Sequence, residues 1–306
     1  MTFIEFIIII PVVVAVAIGC GAPARGLSLL AAWVNLIFGA VVFAVILAKG
    51  GEGMHFQSAR VLLDDPELTL GFAVDGMSGV LVLLTVIVTF CAVSISPENP
   101  GKGSGKLYYI SLMLIAAGAL GAFCATDLFF LYAFHELALI PTFLMIGIYG
   151  HGREQVATAW KITIYLGVGS LILLGGLIAL YVNLSPSGGL TFDIAKLATA
   201  QGENPLSAEV QKWIFLPLLV GFGILVSLFP FHSWAAPAYA SAPAPVAMLH
   251  AGVLKKFGLY GILRVAVPLL PEGFEAWKGL LLVLLLGNIL YVGFVTISQR
   301  YLDRML

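Results

Sequence analysis

Charge is what this chain has least of. Its 306 residues include 15 Lys and Arg and 16 Asp and Glu, 10% of the total, where a soluble domain carries roughly 25%. So few charges cannot cover the surface of a water-soluble globular enzyme, and that class is excluded. The net charge of −1 leaves no basic field to hold nucleic acid, so none is expected as a partner. Cysteine is scarce too: Cys20, Cys91 and Cys124 lie far apart, each in an apolar run, with no CxxC among them. That excludes an iron–sulfur cluster or zinc site built from this chain alone, and a disulfide framework. The three read as small buried hydrophobes. No basic segment precedes the first apolar run, only Glu5, so that run reads as a retained span and not a cleaved signal peptide. No GxGxxG precedes a strand-like segment, which leaves a nicotinamide site unsupported, and no repeat of solenoid period is present.

What is present is hydrocarbon. Apolar residues make up 60% of the chain and the mean hydropathy is +1.05. A bilayer core requires about 20 apolar residues per helix. Runs of that order recur at 6–24, 26–48, 76–97, 107–126, 128–150, 162–192, 213–254 and 279–299. The 213–254 run holds two spans' worth of residues and is broken by Pro230, Pro237, Pro243 and Pro245. Divided there, the chain predicts nine transmembrane helices. The pieces 54–64 and 191–199 read as short interfacial segments, and the Gly- and Lys-rich stretch 99–106 as a flexible loop. Short loops carry Arg25, Lys102, Lys106 and Arg153, with Arg300 and Arg304 after the last span on the same side. Lys49, Arg60, Lys196, Lys212 and Lys278 lie in longer, mixed loops on the other side. Short basic loops stay inside, which puts the N-terminus outside and the C-terminus inside.

An ionisable side chain deep in a span is costly and is a functional hypothesis by default. Glu136 is such a group, about 13 Å from one end of the 128–150 run at about 1.5 Å per residue. Apolar surroundings pull a carboxyl toward neutrality and a nearby cation pulls it toward charge; a group balanced between them takes and releases protons. The bland reading is a neutral Glu hydrogen-bonded to the next helix. Lys255 and Lys256 lie well inside 246–267, and being adjacent they point about 100° apart. Lys256, followed by Phe257-Gly258-Leu259-Tyr260-Gly261, is expected to face the bundle interior, with Lys255 toward a second polar path. His250, one turn before them, titrates near neutrality and is a candidate relay. His135 is expected to point away from Glu136 as a core residue. Lys161 begins the sixth run, either as an interfacial anchor or as a neighbour of Glu136. Pro230 and His232, in Phe229-Pro230-Phe231-His232-Ser233-Trp234, mark a helix break with freed carbonyls.

Four segments now stand in order. They are 72–79 before the third span, the Phe-His-Glu-x-x-x-Ile-Pro stretch at 134–141, Phe229–Trp234, and Ala251-Gly252-Val253-Leu254-Lys255-Lys256-Phe257-Gly258 with its continuation to Gly261. Together they make the chain resemble the M-type (chain 4) antiporter-like membrane subunit of respiratory complex I, the proton-pumping NADH:quinone oxidoreductase. That family also takes in D-type subunits of multisubunit cation/proton antiporters. The resemblance implies an all-α polytopic membrane protein. Members have about fourteen helices, with helices four to eight and nine to thirteen as inverted repeats, each holding a broken helix. On that pattern 1–106 is an N-terminal three-helix segment, 107–268 a five-helix proton-channel bundle with a broken seventh helix, and 269–306 a ninth helix opening an incomplete second repeat. Glu136 matches the family's fifth-helix Glu, Lys256 its eighth-helix Lys, and Lys161 its sixth-helix Lys.

Two departures stand out. The seventh-helix Lys of the family is replaced by Leu225, and the familiar Leu-Pro-Asp-Ala-His reads Ala235-Ala236-Pro237-Ala238-Tyr239. His250 lies where L-type sisters carry a His, and Lys255 is an addition; one of His250, Lys255 and Lys161 is expected to supply the missing cation. The chain also stops where a ninth helix leads on, as a fragment, a frame-shifted product or one half of a split subunit would. The expected function is proton translocation coupled to quinone reduction in other subunits. The chain would act through Glu136, Lys256, Lys161, His250 and Lys255 in a bacterial inner membrane. NADH, flavin, iron–sulfur and quinone sites are expected in partners, with L-, N- and K-type subunits beside it and no cofactor or metal of its own. The alternatives are the D-type component of a multisubunit sodium/proton antiporter and a non-conducting structural fragment.

Overall fold

The computed structural model describes residues 2–64, 67–184 and 189–299. Arg300, Arg304 and the end of the 269–306 segment lie outside the described residues. In chain order come α1 (Phe3–Gly19), α2 (Ala24–Ala48), a hairpin of β1 (His55–Asp64) and β2 (Glu67–Val74), α3 (Gly76–Ile95), α4 (Gly105–Cys124) and α5 (Leu128–Tyr149). After them come α6 (Gln155–Asn183), the short α7 (Ile194–Glu203), α8 (Ala208–Leu225), α9 (Ala235–Ser241), α10 (Ala244–Leu269) and α11 (Pro271–Ile297). Helices prevail because hydrocarbon offers no partner for backbone polar groups, and a helix satisfies its own. Side chains fix where they start. Thr2 and Glu5 form a capping box on α1, Asp75 and Ser78 one on α3, and Asp127 accepts from the Phe129 and Phe130 amides to start α5.

Eight helices among the described residues are long and apolar enough to cross a bilayer, and α1, with 17 residues, is shorter. The expectation of nine spans therefore becomes eight plus a short apolar helix. The first apolar run outlasts its helix because Gly21, at φ 112, turns the chain before the run ends. The piece at 54–64, expected as a short interfacial segment, is extended. It is β1, paired with β2, a hairpin whose exposed polar and apolar residues give little periodic signal. Residues 194–203 form α7, capped by Asp193. The last span begins at Pro271, so Lys278, read as a loop residue, lies on α11, paired with Glu275.

The chain divides into two compact units. One comprises the residues through Leu62, Thr69–Val156 and Ala242–Leu254. Here α4 is central: Leu112, Ile115, Ala116, Leu120 and Phe123 are buried, and it packs on α1, α3 and α5. The α4–α5 contact is close because α4 offers glycines. A Cβ on Gly118 would lie 2.5 Å from the Phe134 carbonyl oxygen, and one on Gly121 2.3 Å from the Phe134 ring. Asn35 joins α2 to α1 by donating to the Ile7 carbonyl at 2.9 Å. Arg60 of the hairpin pairs with Glu5 at 3.4 Å.

The other unit comprises Leu63–Leu68, Ala157–Ser241 and the chain from Lys255. Glycines again set the packing. Gly169 and Gly176 of α6 abut Ile224 and Leu218 of α8, and Gly221 of α8 abuts Leu173. On α10, a Cβ on Gly258 would lie 2.4 Å from the Phe222 carbonyl oxygen, and one on Gly261 2.1 Å from the Phe222 ring. This repeats the arrangement of Gly118 and Gly121 on Phe134. The start of α11 is fastened to α8: the Glu272 amide donates to Gln211 and the Trp277 indole to the Lys212 carbonyl. The most apolar stretch of α11 is otherwise unburied.

Candidate functional site

The helix break expected at Pro230 is present. Helix α8 ends at Leu225, α9 starts at Ala235, and the nine residues between carry the freed backbone groups. Ser227 takes a left-handed conformation, φ 57, which lets the Leu228 amide donate to Gly223 and the Ser227 amide to Ile224. The buried Trp234 indole also donates to the Ile224 carbonyl, at 3.3 Å. The Phe231 amide donates to Leu228 and the Ala235 amide to His232.

Two neighbouring helices hold what remains. From α6, the Lys161 amine donates to the Ser233 carbonyl at 2.9 Å, and Tyr165, one turn on, shares a 3.0 Å hydrogen bond with the Ser233 hydroxyl. From α11, Asn288 accepts the Phe229 amide at 2.8 Å, just before Pro230. Gly287 lets α11 approach: a Cβ there would lie 2.8 Å from the Phe229 ring. Tyr291 completes the contact by meeting the edge of His232, which itself stacks on Phe229. The Nδ1 of His232 is buried, with no hydrogen-bond partner among the described residues. Thus Lys161, which the sequence left between anchor and Glu136 neighbour, is a ligand of the break. Sequence reasoning missed Tyr165, Asn288 and Tyr291. Their signal was a polar atom inside an uncharged run.

Helix α10 is irregular where its amines lie. A π-helical turn, His250–Leu254, precedes Lys255, and a second, Ile262–Ala266, follows Gly261. Such turns are rare and cluster at functional sites. Both lysines are half-buried. Gly258 and Gly261 mark the side of α10 that meets α8. At about 100° per residue, Lys256 lies on the opposite side and Lys255 flanks the α8 side. The Lys255 amine lies 5.5 Å from the centre of the Tyr239 ring. Leu225, the departure from the family pattern, is a buried residue at the very end of α8.

Glu136 and His250 belong to the unit that contains α5. Phe134 and Ala138 carry the face of α5 that α4 covers, so Glu136 points the other way, and its side chain is 32% exposed. His135 is buried, and its Nδ1 approaches a Glu136 oxygen at 3.6 Å. The expectation that His135 turns away is corrected by that contact. Neighbours on a helix diverge at Cβ, but a long Glu side chain curls back. His250 is buried at the head of the π turn, which packs on α3 and α5. The structure therefore groups Lys161 with the break and Lys255 with Tyr239, and lays the His250 turn against the helix of Glu136. Among the described residues no group of His, Cys, Asp and Glu could hold a metal ion.

The transmembrane model of the NADH:quinone oxidoreductase/Mrp antiporter family matches residues 125–306. The chain belongs to this family. Its curated relatives in the family include NAD(P)H-quinone oxidoreductase chain 4 3 of Picosynechococcus sp., 35% identical over 90% of this chain and 50% of the relative. The fold is also similar to a chain in the structure of respiratory complex I from Thermus thermophilus with bound NADH. That match has TM-score 0.84 and 27% identity over 99% of this chain and 61% of that one. A chain of the Mrp complex from Dietzia sp. shares the fold at TM-score 0.78 and 20% identity, over 98% and 55%. The M-type likeness read from the four motifs thus holds, and the protein is a multi-pass membrane protein. The chain spans about half the length of the curated relatives it matches.

Proposed function

We propose that this chain is a proton-translocating membrane subunit of an NADH:quinone oxidoreductase. The carrying observation is the likeness to chain 4 proteins over nine-tenths of the chain, joined to ionisable side chains within apolar spans. No redox step belongs to the chain. NADH, flavin, iron–sulfur and quinone chemistry would reside in partner subunits, and L-, N- and K-type membrane subunits would pack beside it in a bacterial plasma membrane. Residues 107–268 would form the proton-channel bundle after a three-helix segment, with 269–306 opening a second repeat. The N-terminus would lie outside.

In this reading Glu136 and Lys256 are the principal proton-path groups, and Lys161, His250 and Lys255 are relays. Free energy from quinone reduction in a partner would change the protonation of these groups in turn. Each must accept a proton from one side and release it to the other. Lys161, whose amine is bound to a backbone carbonyl of the break, would couple its own charge to the position of that segment.

The test is proton uptake driven by NADH oxidation in membrane vesicles containing the assembled complex. Glu136→Gln is expected to cut transport by roughly a hundredfold, the scale for loss of a positioned proton-transfer group, while subunit assembly persists. Unchanged transport in Glu136→Gln and Lys256→Met together would overturn the reading. The likeness to an Mrp chain favours a second reading, the D-type component of a sodium/proton antiporter. Sodium-dependent proton exchange without NADH would select it. A complex that assembles but moves no proton would leave the chain a structural component.

A further inference from the structure

The amines of the second unit are held in different ways. Lys161 is bound to the Ser233 carbonyl. Lys255 has no such anchor: among the described residues it has neither a carboxylate nor a carbonyl partner, and its amine rests over the face of Tyr239. A ring face stabilises an ammonium within about 6 Å, more strongly where water is scarce. It does so without a fixed negative charge. An ammonium paired with a buried carboxylate strands that carboxylate when it loses its proton. An ammonium on a ring strands nothing, so both of its protonation states are tolerated at one place.

The position of Lys255 gives that property a use. Gly258, one turn further along α10, contacts the Val226 amide at the end of α8. The two helices run antiparallel there, so one turn back along α10, about 5.4 Å, leads from Val226 toward the break. Tyr239 stands on α9, beyond the break, and its ring meets the buried Trp234. Lys256 lies on the other side of α10.

We propose that Lys255 is a proton-carrying residue serving the break between α8 and α9, with Tyr239 as the positioning residue whose ring holds its charged form. The inference rests on the transport reading above, where Lys255 is one of the relays, and makes that relay a second station with a named segment to serve and a named ring to hold it. Only N–H bonds change: the ammonium gives up a proton on one side of the break and the neutral amine regains one from the other. Nothing is oxidised or reduced.

The experiment measures proton uptake per NADH oxidised in vesicles of the assembled complex. Lys255→Leu is expected to lower it by roughly tenfold or more, and Lys255→Gln, which keeps the length and polarity, to do the same. Tyr239→Leu is expected to fall with the Lys255 variants, and Tyr239→Phe, which retains the ring, to recover most of that loss. Adding Leu225→Lys to Lys255→Leu returns an amine to the same break and is expected to restore part of the lost uptake. Parent-like uptake in Lys255→Gln overturns the proposal, and equal loss in Tyr239→Phe and Tyr239→Leu overturns the role of the ring. Should Glu136→Gln and Lys256→Met also transport normally, it is the underlying reading that fails. If only the Lys255 variants do so, the second station alone falls.

Discussion

At the residue scale the break is a problem of hydrogen-bond accounting, solved by side chains from elsewhere in the sequence. The Phe229 amide is the clearest case. Its partner, Asn288, lies 59 positions away on α11. Asn288→Ala leaves that donor unmet, at a cost of about 1–3 kcal/mol, and is expected to lower the thermal midpoint of the detergent-solubilised complex. Asn288→Asp, which keeps an acceptor, should lose less. Lys161→Met frees the Ser233 carbonyl, and faster hydrogen exchange at 231–235 is its expected signature. The sequence revealed that Glu136, Lys161, Lys255 and Lys256 stand in apolar spans, because charge against hydrocarbon is visible in one line of text. It could not reveal that Lys161 binds Ser233 or that Lys255 rests on Tyr239. Those contacts depend on how helices distant in sequence are rotated.

At the element scale the spans were legible and their ends were not. Apolar runs located every long helix, since about 20 apolar residues have few other uses. The hairpin at 55–74 was missed because its strands lack strict apolar–polar alternation. The π turns in α10 were also invisible, being the product of packing and not of composition. Glycine permits a sharp comparison. Gly258→Ala pushes a methyl group against the Phe222 carbonyl, where backbone has to move, and should cost about 1–3 kcal/mol. Gly175→Ala, with nothing within 4 Å, should be neutral or gain up to about 1 kcal/mol in helix propensity. Yields of assembled complex from the two variants check this directly.

At the scale of the whole molecule, orientation is the simplest unknown to measure. Of the three cysteines read as buried, only Cys124 is; Cys91 is half-buried, and Cys20 is exposed at the end of α1, where the helix stops and packing ends. With the N-terminus outside, Cys20 lies on the inner face. A membrane-impermeant maleimide should label it in inverted vesicles and not in intact cells, and the reverse pattern would invert the topology. The helices of the second unit also differ in length: α6 has 29 residues, α11 has 27 and α8 has 18. At about 1.5 Å per residue these are about 43, 40 and 27 Å, against a hydrocarbon core of about 30 Å. The long pair must tilt or protrude, while α8 barely reaches across. Bilayer thickness therefore becomes a mechanical input. Lipids with longer acyl tails would stretch the slab past α8 and load the irregular segment at its end, so turnover in reconstituted vesicles should peak with short-tailed lipids and decline as the tails lengthen.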